Sequence, residues 1–204
     1  MTRIATCTVR TYRSQLRARQ AEETRARILD AALRVMAGGL AYLSIPAVAR
    51  EAGVSVPTVY RHFGTKHDLL AAVYPHVARR AGLDDLVPPR SMDELRDGVR
   101  ALFDRLDSID DLGRAAMASP AAEEARSISM PGRVALGQRL ADSIQPKLQE
   151  VDRDRIARLL MILTMSSALR VWRDHLGSSV DEAADDVDWV VRAAVAAATS
   201  RNGR

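Results

Sequence analysis

The most constraining feature of this sequence is the segment 44–63, SIPAVAREAGVSVPTVYRHF, in which one pattern occurs twice. Ser44 and Ser55 each stand directly before a hydrophobic residue and a proline. Serine is a preferred N-cap, and a proline in the first helical turn loses no hydrogen bond, because that N–H has no intrahelical acceptor. The pattern therefore predicts two short helices. Gly53 separates them and supplies the backbone freedom that a tight turn needs.

Hydrophobic spacing predicts four helices in the first part of the chain. The first runs from Thr24 to Met36 and is ended by Gly38-Gly39. In the second helix, apolar residues recur at i, i+3, i+4 and i+7, at Ile45, Val48, Ala49 and Ala52. The third begins after Ser55, and a fourth is expected over 65–82, with apolar residues again at helical spacing.

The composition favours an all-α fold class. Aromatic residues make up 4% of the 204 residues, alanine, leucine and arginine are abundant, and β-branched runs bounded by turn residues are nearly absent. We therefore expect helices along the whole chain. A chain of this length can bury a substantial core.

The third helix has two faces of different chemistry. At about 100° per residue, the apolar side chains fall on one side: Val56, Val59 and Phe63. The opposite side carries Pro57, Tyr60 and Arg61, with Thr58 and His62 at the flanks. Two short helices joined by Ala-Gly-Val-Ser are the layout of a helix-turn-helix, whose second helix enters the major groove of DNA. Hydroxyl, guanidinium and imidazole groups on that helix are donors to phosphates and base edges.

These residues resemble the N-terminal signature of TetR-type bacterial transcriptional regulators over about residues 22–75. The match comprises Ser44-Ile45, Val48-Ala49, Ala52-Gly53-Val54-Ser55, Thr58, Tyr60, His62-Phe63, Lys66 and Leu69-Leu70. The resemblance implies an all-helical homodimer. Its N-terminal part is a three-helix helix-turn-helix DNA-binding domain, followed by a larger helical regulatory domain for dimerisation and, usually, for binding a small molecule. The expected function is a ligand-responsive regulator, most simply a repressor, that binds an inverted-repeat operator in double-stranded DNA.

The resemblance also implies which residues contact DNA. Thr58, Tyr60 and His62 match positions that contact phosphates or bases, and Lys66 matches a phosphate contact. Val56 departs from the family pattern, because many members have a polar residue there; a contact with a thymine methyl group remains open to it. The predicted DNA-binding residues are Ser44, Ser55, Val56, Pro57, Thr58, Tyr60, Arg61, His62 and Lys66.

Charge is distributed unevenly between the two parts of the chain. Residues 1–82 carry 13 Lys and Arg against 5 Asp and Glu, a net of +8, whereas residues 83–204 carry 17 against 21, a net of −4. Only the first part is therefore expected to meet a polyanion. We expect a disordered basic arm over 1–21, a DNA-binding domain over 22–66 and a regulatory domain over 67–204, with the helix 65–82 connecting the last two.

The basic arm has two open interpretations. Its arginines can follow phosphates or enter a minor groove, as the arms of other helix-turn-helix proteins do. The alternative is a solubilising tail, part of which continues the first helix through Arg17–Glu23.

Two segments near the C-terminus predict the dimer interface. Ile156–Trp172 is apolar nearly all round, which indicates burial on two sides, and the last segment carries a narrow stripe of small apolar residues. Such a pair can pack against its symmetry mate as a four-helix interface, or fill the core of one chain. The predicted interface residues are Leu159, Ile162, Val187, Val190, Val191, Ala194, Val195 and Ala198.

Large adaptable side chains mark candidate positions for a small, mainly apolar effector. Methionine and aromatic residues line apolar binding sites, and they also fill ordinary cores. Both alternatives stay open for each of these residues: Phe103, Met117, Met161, Met165 and Trp172.

Enzyme classes find little support in the sequence. The four histidines show no metal-ligand spacing, Cys7 is the only cysteine, and no Gly-rich phosphate loop or nucleophile elbow occurs. We expect no catalysis, metal or cofactor. The N-terminus lacks an apolar run of signal-peptide length and Leu159–Met165 is too short to span a bilayer, so we expect a cytoplasmic protein without a membrane segment. The remaining alternative is an all-helical interaction module that binds a protein or an anionic surface through its basic part.

Overall fold

The computed structural model describes the backbone of residues 5–39 and 43–202, and the side chains of 15–39 and 43–201. Within these ranges the secondary structure is helical, which confirms the all-α prediction. The α-helices are α1 (Ala5–Ala37), α2 (Ile45–Ala52), α3 (Val56–Phe63), α4 (Lys66–Arg80), α5 (Leu95–Asp107), α6 (Asp111–Ala118), α7 (Ala122–Ile144), α8 (Glu150–Leu163), α9 (Ser166–Arg170) and α10 (Val180–Asn202). A 3₁₀ turn covers Leu83–Asp85 and a π-helical turn covers Val171–His175.

The chain divides into two compact units. The N-terminal unit consists of Met1–His76 and Asp110–Ile128, and the C-terminal unit of Val77–Ile109 and Ser129–Arg204. This division differs from the expected boundary at residue 66, because α6 and the start of α7 belong to the N-terminal unit. The physical reason is that α6 packs against α1, and Met117 of α6 is buried.

The core of the N-terminal unit forms around α1, which packs against α2, α3 and α6. Ile28, Ala32 and Met36 of the predicted apolar stripe are all fully buried. Burial of a side chain as large as Ile or Met contributes roughly 1.5–3 kcal/mol. In the same unit the imidazole Nε2 of His76 in α4 lies 2.8 Å from Asp30 Oδ1 in α1.

The helix starts and the turn between α2 and α3 follow the sequence prediction. Ser44 Oγ accepts a hydrogen bond from the N–H of Ala47, and Ser55 Oγ accepts one from the N–H of Thr58, each at 3.3 Å. Gly53 ends α2 in the left-handed conformation, with φ 64° and ψ 36°. An L side chain is disfavoured in this conformation, so the turn requires glycine.

The region expected as a disordered arm differs from the structure, since α1 extends back to Ala5. Arg17 and Arg19 are exposed on this helix. Arg3 lies outside the described residues, as do the side chains of Cys7, Arg10 and Arg13. Helix continuation through Arg17–Glu23, one of the two interpretations of this region, agrees with the observed bounds.

In the C-terminal unit, α10 packs against α5 and α8. Phe103 of α5, Ile156 of α8 and Val187 of α10 belong to one buried cluster. At the crossing of α7 and α8, a Cβ built on Gly137 would lie 2.9 Å from the backbone oxygen of Ala157, so the two helices approach closely only because residue 137 is glycine.

Two details of the C-terminal unit depart from what the sequence pattern indicates. Ile156–Trp172 is one continuous apolar segment in the sequence, but α8 ends at Leu163, a short α9 follows, and a π-helical turn includes Trp172. A Pro-Gly pair such as Pro131-Gly132 is typical of a turn, yet Pro131 lies inside α7. Pro146 does fall between α7 and α8, where a proline is expected to end a helix.

Across the described residues, no helix is both long and apolar enough to cross a membrane.

Candidate nucleic-acid interface

The two faces predicted for α3 are confirmed by burial. Val59 is fully buried and Phe63 nearly so, and both anchor the helix in the N-terminal unit, whereas Val56 is half-buried. On the opposite side Tyr60 is 47% exposed. Pro57 and Arg61 are also exposed, with Thr58 and His62 half-buried at the flanks. The helix thus presents a polar and aromatic surface of the kind that reads DNA.

Hydroxyl groups are fixed at the start of α3. Ser55 Oγ and Thr58 Oγ1 lie 2.9 Å apart and share a hydrogen bond, in addition to the cap that Ser55 provides. Ser44 is exposed at the start of α2. A hydroxyl that accepts a capping N–H keeps its own O–H as a donor, so Ser44 can cap a helix and donate to a phosphate.

The end of α3 is held by a residue of α1. Arg25 Nη1 donates a hydrogen bond of 3.2 Å to the carbonyl of His62. Its guanidinium carbon also lies 4.3 Å from the centroid of the Phe63 ring. A cation at a helix C-terminus is favoured by the helix dipole. In the sequence, Arg25 is one of several basic residues near the arm. Its contact with the end of α3 could not be predicted, because residue spacing along α1 does not show which other helix packs against it.

His62 has an altered protonation equilibrium. Its pKa lies below the ordinary value of 6.5, because partial burial disfavours the charged imidazolium. The positive charges of Arg61 and Arg25 lower the pKa further, and Glu22 opposes them. At neutral pH the imidazole is therefore neutral, with one ring nitrogen as donor and the other as acceptor.

The connection between α3 and α4 contains a glycine turn and a capping box. Gly64 has φ 69° and ψ −58°, and the Thr65 N–H donates to the Phe63 carbonyl at 2.7 Å. This γ-turn has a strained positive-φ centre. Thr65 Oγ1 then accepts from the Asp68 N–H, and Asp68 Oδ2 accepts from the Thr65 N–H, both at 3.1 Å. The predicted site residues do not include this capping box, although the Thr-x-x-Asp spacing indicates it.

Lys66 is the first residue of α4, directly after this turn. First-turn N–H groups of a helix lack intrahelical acceptors and can bind a phosphate. The Lys66 ammonium adds a charge at the same helix end. Its Nζ lies 2.8 Å from Oε2 of Glu124, in the first turn of α7, and both side chains are partly exposed.

The sequence of this helix-turn-helix region matches a known protein family. Residues 28–73 match the family model of bacterial regulatory proteins of the tetR family. Residues 28–73 therefore form a TetR-type N-terminal domain. The matched residues include α2 and α3, the two helices of the helix-turn-helix.

Two transcriptional regulators of Pseudomonas putida are similar to this chain over part of its length. The chain is 49% identical over 57 residues to the HTH-type transcriptional regulator SrpR of Pseudomonas putida, covering 28% of this chain and 27% of that protein. It is 47% identical over 57 residues to the uncharacterized HTH-type transcriptional regulator TtgW, also of Pseudomonas putida, covering 28% of this chain and 42% of that protein. The similarity thus spans less than half of either relative.

The candidate effector residues fall in both units. Met117 is buried in the N-terminal unit. Phe103 is fully buried in the C-terminal cluster, and Trp172 packs against that cluster while partly buried. Met161 and Met165 are half-buried near the break between α8 and α9. Among the described residues, no group of three or more His, Cys, Asp or Glu is placed to hold a metal ion.

The candidate dimer residues are divided between core and surface. Val187, Val191, Val195 and Ala198 of α10 are buried in the core of their own chain. Packing within one protomer, the alternative interpretation of this stripe, accounts for their burial. The others are accessible to different degrees: Leu159, Val190 and Ala194 are half-buried and Ile162 is exposed.

Proposed function

We propose that this chain is a TetR-family regulator that acts as a bacterial cytoplasmic repressor. It binds an inverted-repeat operator as a homodimer, and a small, mainly apolar effector releases it. The observation that carries the DNA-binding part is the exposed surface of α3. Tyr60 and Arg61 face outward from a helix whose Val59 and Phe63 are buried. The alternative of a general interaction module has no comparable support, because the family match lies on these residues.

Two side chains of this surface are proposed to act differently. Arg61 is exposed on α3, and a guanidinium can donate two hydrogen bonds to O6 and N7 of guanine. Lys66 lies at the N-terminus of α4 and is assigned to a phosphate. Base contacts specify sequence, whereas phosphate contacts position the protein without sequence information.

Duplex binding of single variants tests these roles. Fluorescence anisotropy is measured over a salt series, with the tightest duplex selected from a random library and with a scrambled duplex. Lys66→Ala should weaken both equally and reduce the salt slope by about one ion. Arg61→Ala should lose more on the selected duplex, by about 1–3 kcal/mol. Lys147→Ala removes one positive charge from the C-terminal unit and serves as control. Equal losses on both duplexes for Arg61→Ala would refute its assignment as a base reader.

The homodimer is proposed to use the outward face of α10. Trp189 is 71% exposed there, and Ala193, Ala196 and Ala197 are exposed one and two turns further on. Tryptophan is enriched at the centres of protein interfaces, and small residues let helices approach closely. On the neighbouring α8, Ile162 is 57% exposed and extends the available apolar surface. A dimer would place two recognition helices roughly 34–36 Å apart, which fits an inverted repeat.

Two arginine substitutions on α10 distinguish surface from core. Trp189→Arg should yield a folded monomer, because the charge stays in water in each protomer but is buried without a partner in the dimer. Val191→Arg should unfold the C-terminal unit, since Val191 is fully buried. Light scattering gives the oligomeric state and circular dichroism gives the helix content. A Trp189→Arg protein that remains dimeric at micromolar concentration would place the interface elsewhere.

The effector is proposed to bind the C-terminal unit where α8 ends. Met161, Met165 and Trp172 are half-buried around the α8–α9 break and the π-helical turn. Breaks of this kind interrupt the regular hydrogen-bond ladder and often mark functional segments. The three side chains are large and adaptable, which suits an apolar ligand.

Release from DNA requires that the effector favour a conformation with weaker DNA affinity. Coupling between two sites is typically about 1–3 kcal/mol and is reciprocal. Apolar compounds are therefore screened by calorimetric titration into free protein, and a binder is then titrated into DNA-bound protein. We expect weaker effector binding in the presence of DNA, by the same factor as the effector weakens DNA binding. Identical affinities in both titrations would rule out coupling, and unchanged binding to Met165→Arg would move the site.

A further inference from the structure

The ion pair between Lys66 and Glu124 joins two parts of the N-terminal unit that are remote in sequence. The ammonium nitrogen and Oε2 are 2.8 Å apart, and the side chains retain 36% and 44% of their exposure. Lys66 begins α4 directly after the recognition helix α3, whereas Glu124 lies in the first turn of α7. Glu124 also lies outside residues 28–73, which match the family model.

The Glu124 carboxylate is an anion bound to Lys66, the residue proposed to bind a DNA phosphate. The lysine ammonium is a point charge with three donors, and carboxylate and phosphate oxygens are alternative acceptors for it. We propose that Glu124 is an intramolecular competitor of DNA phosphate for Lys66 and so lowers the affinity of the protein for any duplex. This inference rests on the proposed phosphate contact of Lys66 and adds a residue to the DNA-binding surface.

Glu123, the acidic residue next to Glu124, makes a different contact. It therefore allows the proposed competition by Glu124 to be distinguished from the general effect of an acidic residue in the first turn of α7. Acidic residues in a first turn are favoured by the helix dipole, which applies equally to Glu123 and Glu124. Glu123, however, pairs with Arg126 of the same helix, and Arg126 Nη2 donates to the Met117 carbonyl at 3.1 Å. Only Glu124 is paired with the residue that begins α4. The two glutamates therefore form a matched pair of equal charge in one helical turn.

DNA binding must exchange the Glu124 carboxylate for a phosphate oxygen. Because both partners are partly exposed, the pair is weak, and its loss should raise DNA affinity by only about two- to fivefold per protomer. The gain should be the same for every duplex sequence, since phosphate contacts carry no sequence information. It should also depend on the lysine, because without Lys66 the carboxylate has no phosphate contact to compete with.

The test compares Glu124→Gln with Glu123→Gln in full-length protein, each alone and combined with Lys66→Ala. Anisotropy titrations use the tightest duplex selected from a random library and a scrambled duplex at one salt concentration. We expect Glu124→Gln to tighten binding to both duplexes equally, Glu123→Gln to change it less, and the Glu124→Gln gain to vanish when Lys66 is alanine. Glutamine keeps the size of the side chain, and thermal unfolding checks that each variant folds.

Three outcomes separate this inference from the proposed function. Equal gains for the two glutamine variants would show general charge repulsion and overturn the competition. A Glu124→Gln gain that persists with Lys66→Ala would also overturn it. If the wild-type protein binds neither duplex, the proposed DNA-binding function itself fails, whereas normal wild-type binding with no Glu124→Gln gain refutes only the competition.

Discussion

Arg25 offers a sensitive test of how α1 positions the recognition helix. Its substitution by methionine keeps most of the side-chain volume but removes the charge, the hydrogen bond to the His62 carbonyl and the cation–π contact with the Phe63 ring. A hydrogen bond from a charged donor contributes about 1.5–3 kcal/mol, and a partly exposed cation–π contact about 0.5–1 kcal/mol. The bond is long, at 3.2 Å, and methionine still packs on the ring. We therefore expect the free energy of local opening of α3, its detachment from the N-terminal unit, to fall by about 2 kcal/mol.

The loss should appear as local opening of α3 rather than global unfolding, because Val59 and Phe63 still anchor the helix. At about 1.4 kcal/mol per factor of ten, Arg25→Met should lower the hydrogen-exchange protection of α3 amides by about 30-fold. A second readout is the pKa of His62, which the positive charge of Arg25 lowers. Removing that charge should raise this pKa toward 6.5 in an NMR titration.

Arg27→Met is the matched control, since Arg27 is exposed on the same helix. It should leave α3 protection and the His62 pKa nearly unchanged. The role assigned to Arg25 would be refuted by equal losses of protection in the two variants, or by a His62 pKa that does not rise in Arg25→Met.

The His62 pKa is lowered in the free protein, and an approaching phosphate should raise it, so DNA binding takes up a proton and affinity should increase as the pH falls below about 6.5. Anisotropy titrations over pH check this, and a His62→Gln variant with the same pH dependence would contradict it. Two glycines of α7 should respond in opposite directions to alanine. Gly137→Ala should destabilise the fold by about 1–3 kcal/mol, because the new Cβ would press on the Ala157 backbone. Gly132 has open space around it, so Gly132→Ala should stabilise the fold by up to about 1 kcal/mol through higher helix propensity. Urea denaturation followed by circular dichroism measures both, and a destabilised Gly132→Ala protein would refute the propensity reasoning.

The helix-turn-helix can be predicted from sequence because each of its signals acts over a few residues. Ser44 and Ser55 cap helices whose first-turn N–H groups they reach directly. Gly53 adopts the left-handed conformation that the turn requires. Thr65 and Asp68 form a capping box by the same local rule, so the Thr-x-x-Asp spacing was sufficient to predict it as well.

Contacts between remote segments cannot be predicted in this way. In the sequence, Arg25 is one more basic residue near the arm, and Glu124 is an ordinary acid in a first helical turn. Their partners, the end of α3 and Lys66, lie 37 and 58 residues away along the chain. A charge in the sequence shows which kind of partner it prefers, but the packing of α1, α4 and α7 decides which one it meets.

The α10 stripe shows the same limit for hydrophobic patterns. Helical periodicity correctly indicated that Val187, Val191 and Val195 share a buried face. It could not show whether that face packs on another protomer or on α5 and α8 of the same chain, because apolar burial is favoured in proportion to area, whatever covers it. Sequence alone thus set the caps, the turn and the faces of the helices, through interactions within a few residues of each position. Tertiary packing alone decided which of these helix faces are buried and which remain exposed, and so available to DNA or to a partner.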